Sequence, residues 1–317
     1  MTELIAGNAP AAASAVADRP QPVWQLRWRR LRRNRAAVLG GIVLLLLVLF
    51  AASAPLYERL MGVDVNDTNL LARFAPPSTQ HLLGTDEAGR DVLARLMYGG
   101  RVSLLVGLAS AVSAALLGTL IGLLAGYYRG RTEAILMRMT DGVISLPLLP
   151  LLIVFAAIDL QKLGFSEAFV RSPTANFYRI VIIIALVEWT TVARLVRAST
   201  LGLMAREFVL AARAQGASAR HILTVHVLPN TASPIIVALS LAVGQIILLE
   251  STLSFLGLGI QPPTPSWGNM LNNAQELISR APALAFYPGL LIFVTVIAVN
   301  FLGDGLQDAF DPRAEVH

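Results

Sequence analysis

The 317-residue chain has no cysteine, which excludes disulfides, thiolate metal ligands and cysteine nucleophiles within it and leaves its redox compartment unconstrained. Charge is scarce too. Asp, Glu, Lys and Arg make up 14% of residues, where water-soluble domains average about a quarter, while 55% are hydrophobic and the mean hydropathy is +0.64. Most of this surface cannot face water, so the bilayer is the expected solvent. No GxxxxGK[ST] phosphate loop occurs, which excludes binding and splitting of a nucleoside triphosphate by this chain, and no HExxH occurs. His81, His221, His226 and His317 are scattered, and the central two are five apart, off the i, i+4 spacing that sets two ligands on one helical face. They read as polar surface residues, and no metal site is expected. No nucleophile with a base, and no matched pair of carboxylates, presents itself for catalysis. There is no internal repeat.

What is present is apolar length. A hydrocarbon core of roughly 30 Å needs about 20 mostly apolar residues per helical span. Six segments qualify: 37–54, 102–126, 142–160, 178–196, 231–255 and 284–303. The expected fold is therefore an all-α integral membrane protein with six transmembrane helices. Residues 42–50 (IVLLLLVLF) alone favour insertion by roughly 3 to 5 kcal/mol. A cleaved signal peptide is the rival, but its apolar region would exceed the usual length of about 7 to 15 residues, and Pro55 would follow the cut after Ala54.

Positive residues in short loops mark the cytoplasmic side. Arg27, Arg29, Arg30, Arg32, Arg33 and Arg35 place the N-terminus there; Arg129, Arg131, Arg138 and the arginines of 197–230 place two later loops and the C-terminus on the same side. The net charge of +5 is thereby explained by topology rather than by nucleic acid. The expected organisation is a cytoplasmic leader and basic flank over 1–35, with 1–22 disordered, then a first span over 36–54. An external loop over 55–101 and a five-helix core over 102–304 follow, with a cytoplasmic tail over 305–317. The core includes a cytoplasmic loop, 200–229, and an external segment, 257–283.

The 200–229 loop is long enough to have structure and a role of its own. Leu201, Met204, Phe208 and Ala211 recur at helical spacing and predict one apolar stripe; Gly216 is placed to end that helix in a left-handed conformation. A second short helix is predicted over 218–227, closed by Leu228-Pro229. Such a hairpin fits either an interfacial element lying on headgroups or a docking knob. Leu210-Ala211-Ala212, three residues, Gly216, nine residues, then His226-Val227-Leu228-Pro229 resembles the EAA loop of ABC importer permeases. That pattern is Glu-Ala-Ala, three residues, Gly, nine residues, Ile, any residue, Leu-Pro. Leu210 and His226 depart from it, and Glu207 is the nearby carboxylate.

Two further stretches, HLLGTDEAGRDVLARLMYGGRVSL over 81–104 and ESTLSFLGLGIQPPTPSWGNML over 250–271, are similar to segments of the dipeptide/oligopeptide/nickel permeases, in particular their C-type subunit. With WTTVARLVR over 189–197, the resemblance covers most of 25–310. It implies a type I ABC importer permease that is not itself an enzyme and forms half of a translocation pathway. A homologous permease, two ATPase subunits carrying ATP and magnesium, and an extracytoplasmic binding protein would be its partners in a bacterial inner membrane. Glu207, Ala211, Ala212, Gly216, Leu228 and Pro229 would then couple to the ATPase.

Among polar residues in or near the spans, Glu188, Gln245 and Glu250 are candidates for the pathway, because a mid-bilayer carboxylate costs about 2.5 to 3.5 kcal/mol or more and is usually retained for a partner or a path. Asp141 is expected as a helix cap or salt bridge. Asp86, Arg90, Asp91 and Trp267 are candidates for an external gate or binding-protein contact, although Asp86 or Thr85 can equally cap the helix that starts near Asp91. Trp267 suits the membrane interface. Pro147 and Pro150 should kink the third span, and the prolines of 262–265 should end the fifth by about Gly259. The alternatives left open are nickel, glutathione or antimicrobial-peptide import by the same architecture and, in other classes, a membrane scaffold or an intramembrane enzyme.

Overall fold

A computed structural model describes residues 23–170, 172–272 and 274–310, all helices and connections; the disordered leader expected over 1–22 and the tail end, 311–317, lie outside them. The basic flank is itself a helix, α1 (Val23–Arg33), broken from α2 (Arg35–Ala52) at Asn34, whose side chain accepts from the Ala37 amide at 3.1 Å and caps α2. Ala54 opens a separate short helix, α3 (Ala54–Met61), with Pro55 in its first turn, and Gly62 ends it at φ 65°. The external loop thus begins as helix.

Asp91 caps α4 (Val92–Tyr128) by accepting from the Ala94 amide at 2.7 Å. The expectation that Asp86 or Thr85 would cap this helix is corrected: Thr85 instead bonds Ala72 and Ala75 across the loop. At 37 residues, or about 55 Å, α4 exceeds the bilayer core and starts well before the expected residue 102. Gly118, Gly122 and Gly126 form a stripe along it at intervals of four, facing α8 (Pro173–Met204); a Cβ on Gly122 would stand 2.6 Å from the Ala193 carbonyl oxygen and 2.7 Å from Val196 Cβ. Small residues let the two backbones approach closely, which substitutes for the hydrophobic drive that lipid does not supply.

The third expected span is not one helix. α5 (Gly130–Ser145) and α6 (Leu148–Ala156) meet at 91° around Leu146-Pro147, because proline removes a donor and pushes the residue before it out of the helical region. α5 is held against α8 by Arg194 to Asp141, 2.5 Å, and by Arg197 to Glu133. After the one-turn α7 (Glu167–Val170), Ser172 caps α8, with Pro173 at its first position.

The 200–229 segment departs from the simple hairpin. The chain turns at Ala205-Arg206, so Met204 ends α8 and the predicted stripe is split; α9 (Glu207–Ala214) buries Val209, while Phe208 is 45% and Leu210 50% exposed. Gly216 ends this unit at φ 80°, as expected. The second helix is not closed at Leu228-Pro229. Instead α10 (Ala219–His221) runs through a π-helical stretch, Ile222–Val227, into α11 (Leu228–Phe255). Pro229 has no amide hydrogen to give the preceding turn, and the wider π turn absorbs that defect. Asn230 Nδ2 donates to the His226 carbonyl at 2.6 Å nearby.

α11 stops at Phe255, before the prolines. The external segment then holds a 3-10 turn, Asn269–Leu271, and α12 (Ala274–Arg280), and α13 (Pro282–Phe310) returns through the bundle, extending past residue 304. By length and composition, α2, α4, α10–α11 and α13 suffice to cross a membrane, and α5–α6 make a fifth if counted as one broken span; α8, at 32 residues, is not among them and carries Arg179, Glu188, Arg194 and Arg197. Only 22% to 39% of residues in the four apolar windows are buried, so most of these residues keep some surface for lipid or another chain.

Candidate translocation cavity and coupling surface

A cavity of about 920 Å³ lies between α8, α11 and α13, with Arg27 of α1 at one end. α8 contributes Glu188, Thr191 and Leu195; α11 contributes a face from Asn230 through Ser233 and Ala242 to Gln245. Pro234 sits on that face, where a missing backbone bond is tolerated beside a cavity. Asn230 to Gln245 spans roughly 22 Å at 1.5 Å per residue, so the cavity follows about half the length of α11. Glu188 and Gln245 mark one end, near the middle of the membrane helices; Gln307 and Phe310, at the end of α13, mark the other. Glu188 makes no hydrogen bond or ion pair with any described residue.

Glu250, expected beside them, is elsewhere. It is completely buried, accepting from Ser254 Oγ at 2.7 Å and Ser103 Oγ at 3.1 Å. Each hydroxyl in turn accepts a backbone amide: Ser254 from Ile260 at 3.0 Å and Ser103 from Trp267 at 3.2 Å. The carboxylate therefore ties α4 and α11 to the 257–271 segment instead of facing a path or reaching headgroups.

Trp267 is likewise corrected. It is fully buried, its ring lies against Gly99 and Gly100, and its indole nitrogen donates to the Leu96 carbonyl at 2.9 Å. The tryptophan pins the external segment onto α4 and meets neither lipid interface nor partner. Asp91 is buried as well, accepting from Tyr57 at 3.3 Å and lying 3.0 Å from His81 Nδ1. Asp86 and Arg90 pair at 2.8 Å and remain partly exposed, so of the four external candidates these two alone reach the surface.

At the opposite end, α9 stands on Val209, which packs in a cluster with Leu123 of α4, Val192, Val196 and Met204 of α8, and Ile222 and Val227 of the π stretch. Its outer face presents Glu207, Phe208, Leu210 and Ala211, with Gly216 beside it and nothing within 4 Å of where a Gly216 side chain would be. Leu228 and Pro229 are exposed at the root of α11, and Ala212 is partly covered. The six coupling candidates thus share one end of the molecule. Among the described residues, no group of three or more His, Asp or Glu side chains is placed to hold a metal.

Sequence reasoning missed Arg27, Asn230 and Gln307 as cavity residues, and no local signal points to them, because each enters through helix crossing. It also missed the serine cradle of Glu250. The glycine stripe of α4 was readable as repeated small-xxx-small spacing.

The family described as binding-protein-dependent transport system inner membrane component matches residues 118–316, and the N-terminal TM domain of oligopeptide transport permease C matches 23–77. A Brucella suis protein named as a peptide permease is 42% identical over 91% of this chain and 90% of its own length. The glutathione transport system permease protein GsiD of Pectobacterium atrosepticum is 40% identical over 92% of this chain and 91% of its own. The oligopeptide transport system permease protein OppC of Bacillus subtilis is 35% identical over 96% of each. Helices with wide apolar faces, a cavity between three of them and these matches agree, and the chain belongs to the binding-protein-dependent inner membrane components, the type I ABC importer permease subunits that span the membrane and are not themselves enzymes.

Proposed function

We propose that this chain forms half of the translocation pathway for small peptides and couples it to separate ATPase subunits. One observation carries the reading: Val209 of α9 is packed against α8 and the root of α11, the same two helices whose faces line the cavity. A push on α9 therefore moves the cavity walls, since close-packed elements shift as bodies rather than absorb displacement. In this reading Glu207, Ala211, Ala212 and Gly216, with Leu228 and Pro229 at the root, meet a groove of the ATPase, where ATP and magnesium bind. Glu188 and Gln245 line the path. A homologous permease covers the open side, and a binding protein delivers cargo at the surface that carries Asp86 and Arg90. Both termini face the cytoplasm, following the arginines of α1. Peptide cargo follows from the names of the Brucella and Bacillus relatives; glutathione, carried in the name of another, is itself a small peptide.

The test is co-purification of the assembled transporter carrying Phe208→Ser with Leu210→Ser. Both side chains are exposed, so folding should be unaffected while the ATPase is lost from the complex. An ATPase that stays bound and is still stimulated by cargo contradicts the coupling assignment.

A further inference from the structure

We infer that the cavity between α8, α11 and α13 is a two-pole site for an extended zwitterionic peptide of about six residues, at roughly 3.3–3.6 Å per residue, with Glu188 receiving its ammonium group at the mid-membrane end and Arg27 drawing its carboxylate at the other. The inference rests on the pathway reading above and adds the charge pattern of the cargo. α8 ends, and α11 begins, at the end of the molecule that carries α9, so Glu188 and Gln245 share the far end of the cavity. α13 runs antiparallel to α11, with Gly303 against Leu241 and Gly244 against Val299, so it ends on the side of the bundle where α11 begins, and the Arg27 guanidinium lies 4.6 Å from the Phe310 ring centroid there. The lining thus holds one carboxylate and one guanidinium at opposite ends of a groove roughly 22 Å long, with Thr191, Asn230, Ser233 and Gln245 as neutral polar groups.

Glu188 is the pole that defines the ligand. It has no partner among the described residues, and an uncompensated carboxylate this deep is retained where a cation visits it. Hydroxyl and amide groups around it offer hydrogen bonds to an ammonium without competing for the charge. Arg27 is already engaged by a ring face, which leaves the edge of its guanidinium, where the N–H donors lie, for an anion. A solute with an amine at one end and a carboxylate at the other satisfies both poles; a simple cation satisfies one and meets repulsion at the second.

The absence of cysteine makes a direct test possible, because an introduced thiol is the only one in the chain. In the assembled transporter, Ala242→Cys, one turn from Gln245 on the cavity face, is labelled with a cationic trimethylammonium or an anionic sulfonate methanethiosulfonate, each rate normalised to that with a free thiol. The cationic reagent should be favoured about tenfold or more by a nearby unit charge at an effective dielectric near 20. Glu188→Gln should bring the ratio towards one and Glu188→Asp should keep it. At Ser233→Cys, nearer the mouth, the anionic reagent should be favoured and Arg27→Gln should remove that preference. If Ala242→Cys is labelled equally whatever stands at 188, the two-pole site is wrong while the pathway reading survives. If neither reagent reaches it in a complex that still responds to cargo, the pathway reading fails and takes this inference with it.

Discussion

Glycine 122 shows how much a single missing side chain decides. Its Cβ would fall inside contact distance of the Ala193 carbonyl oxygen and the Val196 Cβ, both on the face of α8 that meets α4. Gly122→Val should therefore cost about 1–3 kcal/mol, as overpacking does, and lower the thermal unfolding midpoint of the purified complex. An unchanged midpoint would mean that α4 and α8 are not locked by close approach. Tyr57 offers a second residue-level test. Its phenol is pushed up to about 12 from its ordinary 10.0, first by burial and then by the Asp91 carboxylate. The folded protein holds this proton over a range in which the unfolded chain releases it. The resulting stability is full below pH 10 and is lost as pH climbs from there through about 12. Tyr57→Phe should flatten the decline of the unfolding midpoint across that window; an identical slope in both proteins would remove Tyr57 from the account.

At the scale of elements, proline placement governs where helices bend and where they merely adjust. Pro147 produces a 91° break, whereas Pro229 is absorbed by the π turn and the helix runs on into α11. The difference lies in the residues before each: Leu146 has already gone extended, while Leu228 stays helical at φ −57°, ψ −46°. Pro229→Ala should restore an amide donor and favour an ordinary α turn through 222–229, rotating α9 relative to α11. ATPase binding should persist while cargo taken up per ATP hydrolysed falls several-fold in proteoliposomes. A ratio equal to that of the unaltered protein would show that the π turn does not set coupling geometry. The register of α10 explains why the sequence suggested two separate helices: Gly216, Ser218 and Leu228-Pro229 are all valid boundary signals, and only the first two are used.

For the molecule as a whole, most residues of the four apolar windows are not buried, which suits a chain that sits in lipid. Its orientation depends on charge outside the spans. Replacing Arg29, Arg32, Arg33 and Arg35 with Glu should reduce the fraction of chains with a cytoplasmic N-terminus, read by a reporter fused ahead of α1. An unaffected reporter would assign orientation to later loops. Legibility also differs with scale. The apolar stretches, the proline breaks and the Leu210-to-Pro229 pattern are local, so the fold class and the short helical segment after α8 were readable, whereas the six spans expected reduce, by length and composition among the described residues, to four, or five with the broken α5–α6. Glu188 was readable too, since a lone carboxylate in an apolar run is conspicuous.

Burial was not readable, and it separated the remaining candidates. Glu188 and Glu250 look alike in sequence, each a carboxylate in or at the end of an apolar helix. The fold leaves one unpartnered on a cavity and seals the other among serines from two elements distant in the chain. Trp267 and Asp91 look like surface recognition residues and are internal because Gly99, Gly100 and Tyr57 meet them in space. Sequence by itself determined the solvent, most of the helices and the short α9–α10 segment to which coupling is assigned by proposal, because hydrophobicity and turn chemistry act over a few residues. Tertiary structure alone decided which polar groups face the cavity, because that depends on how helices far apart in sequence cross.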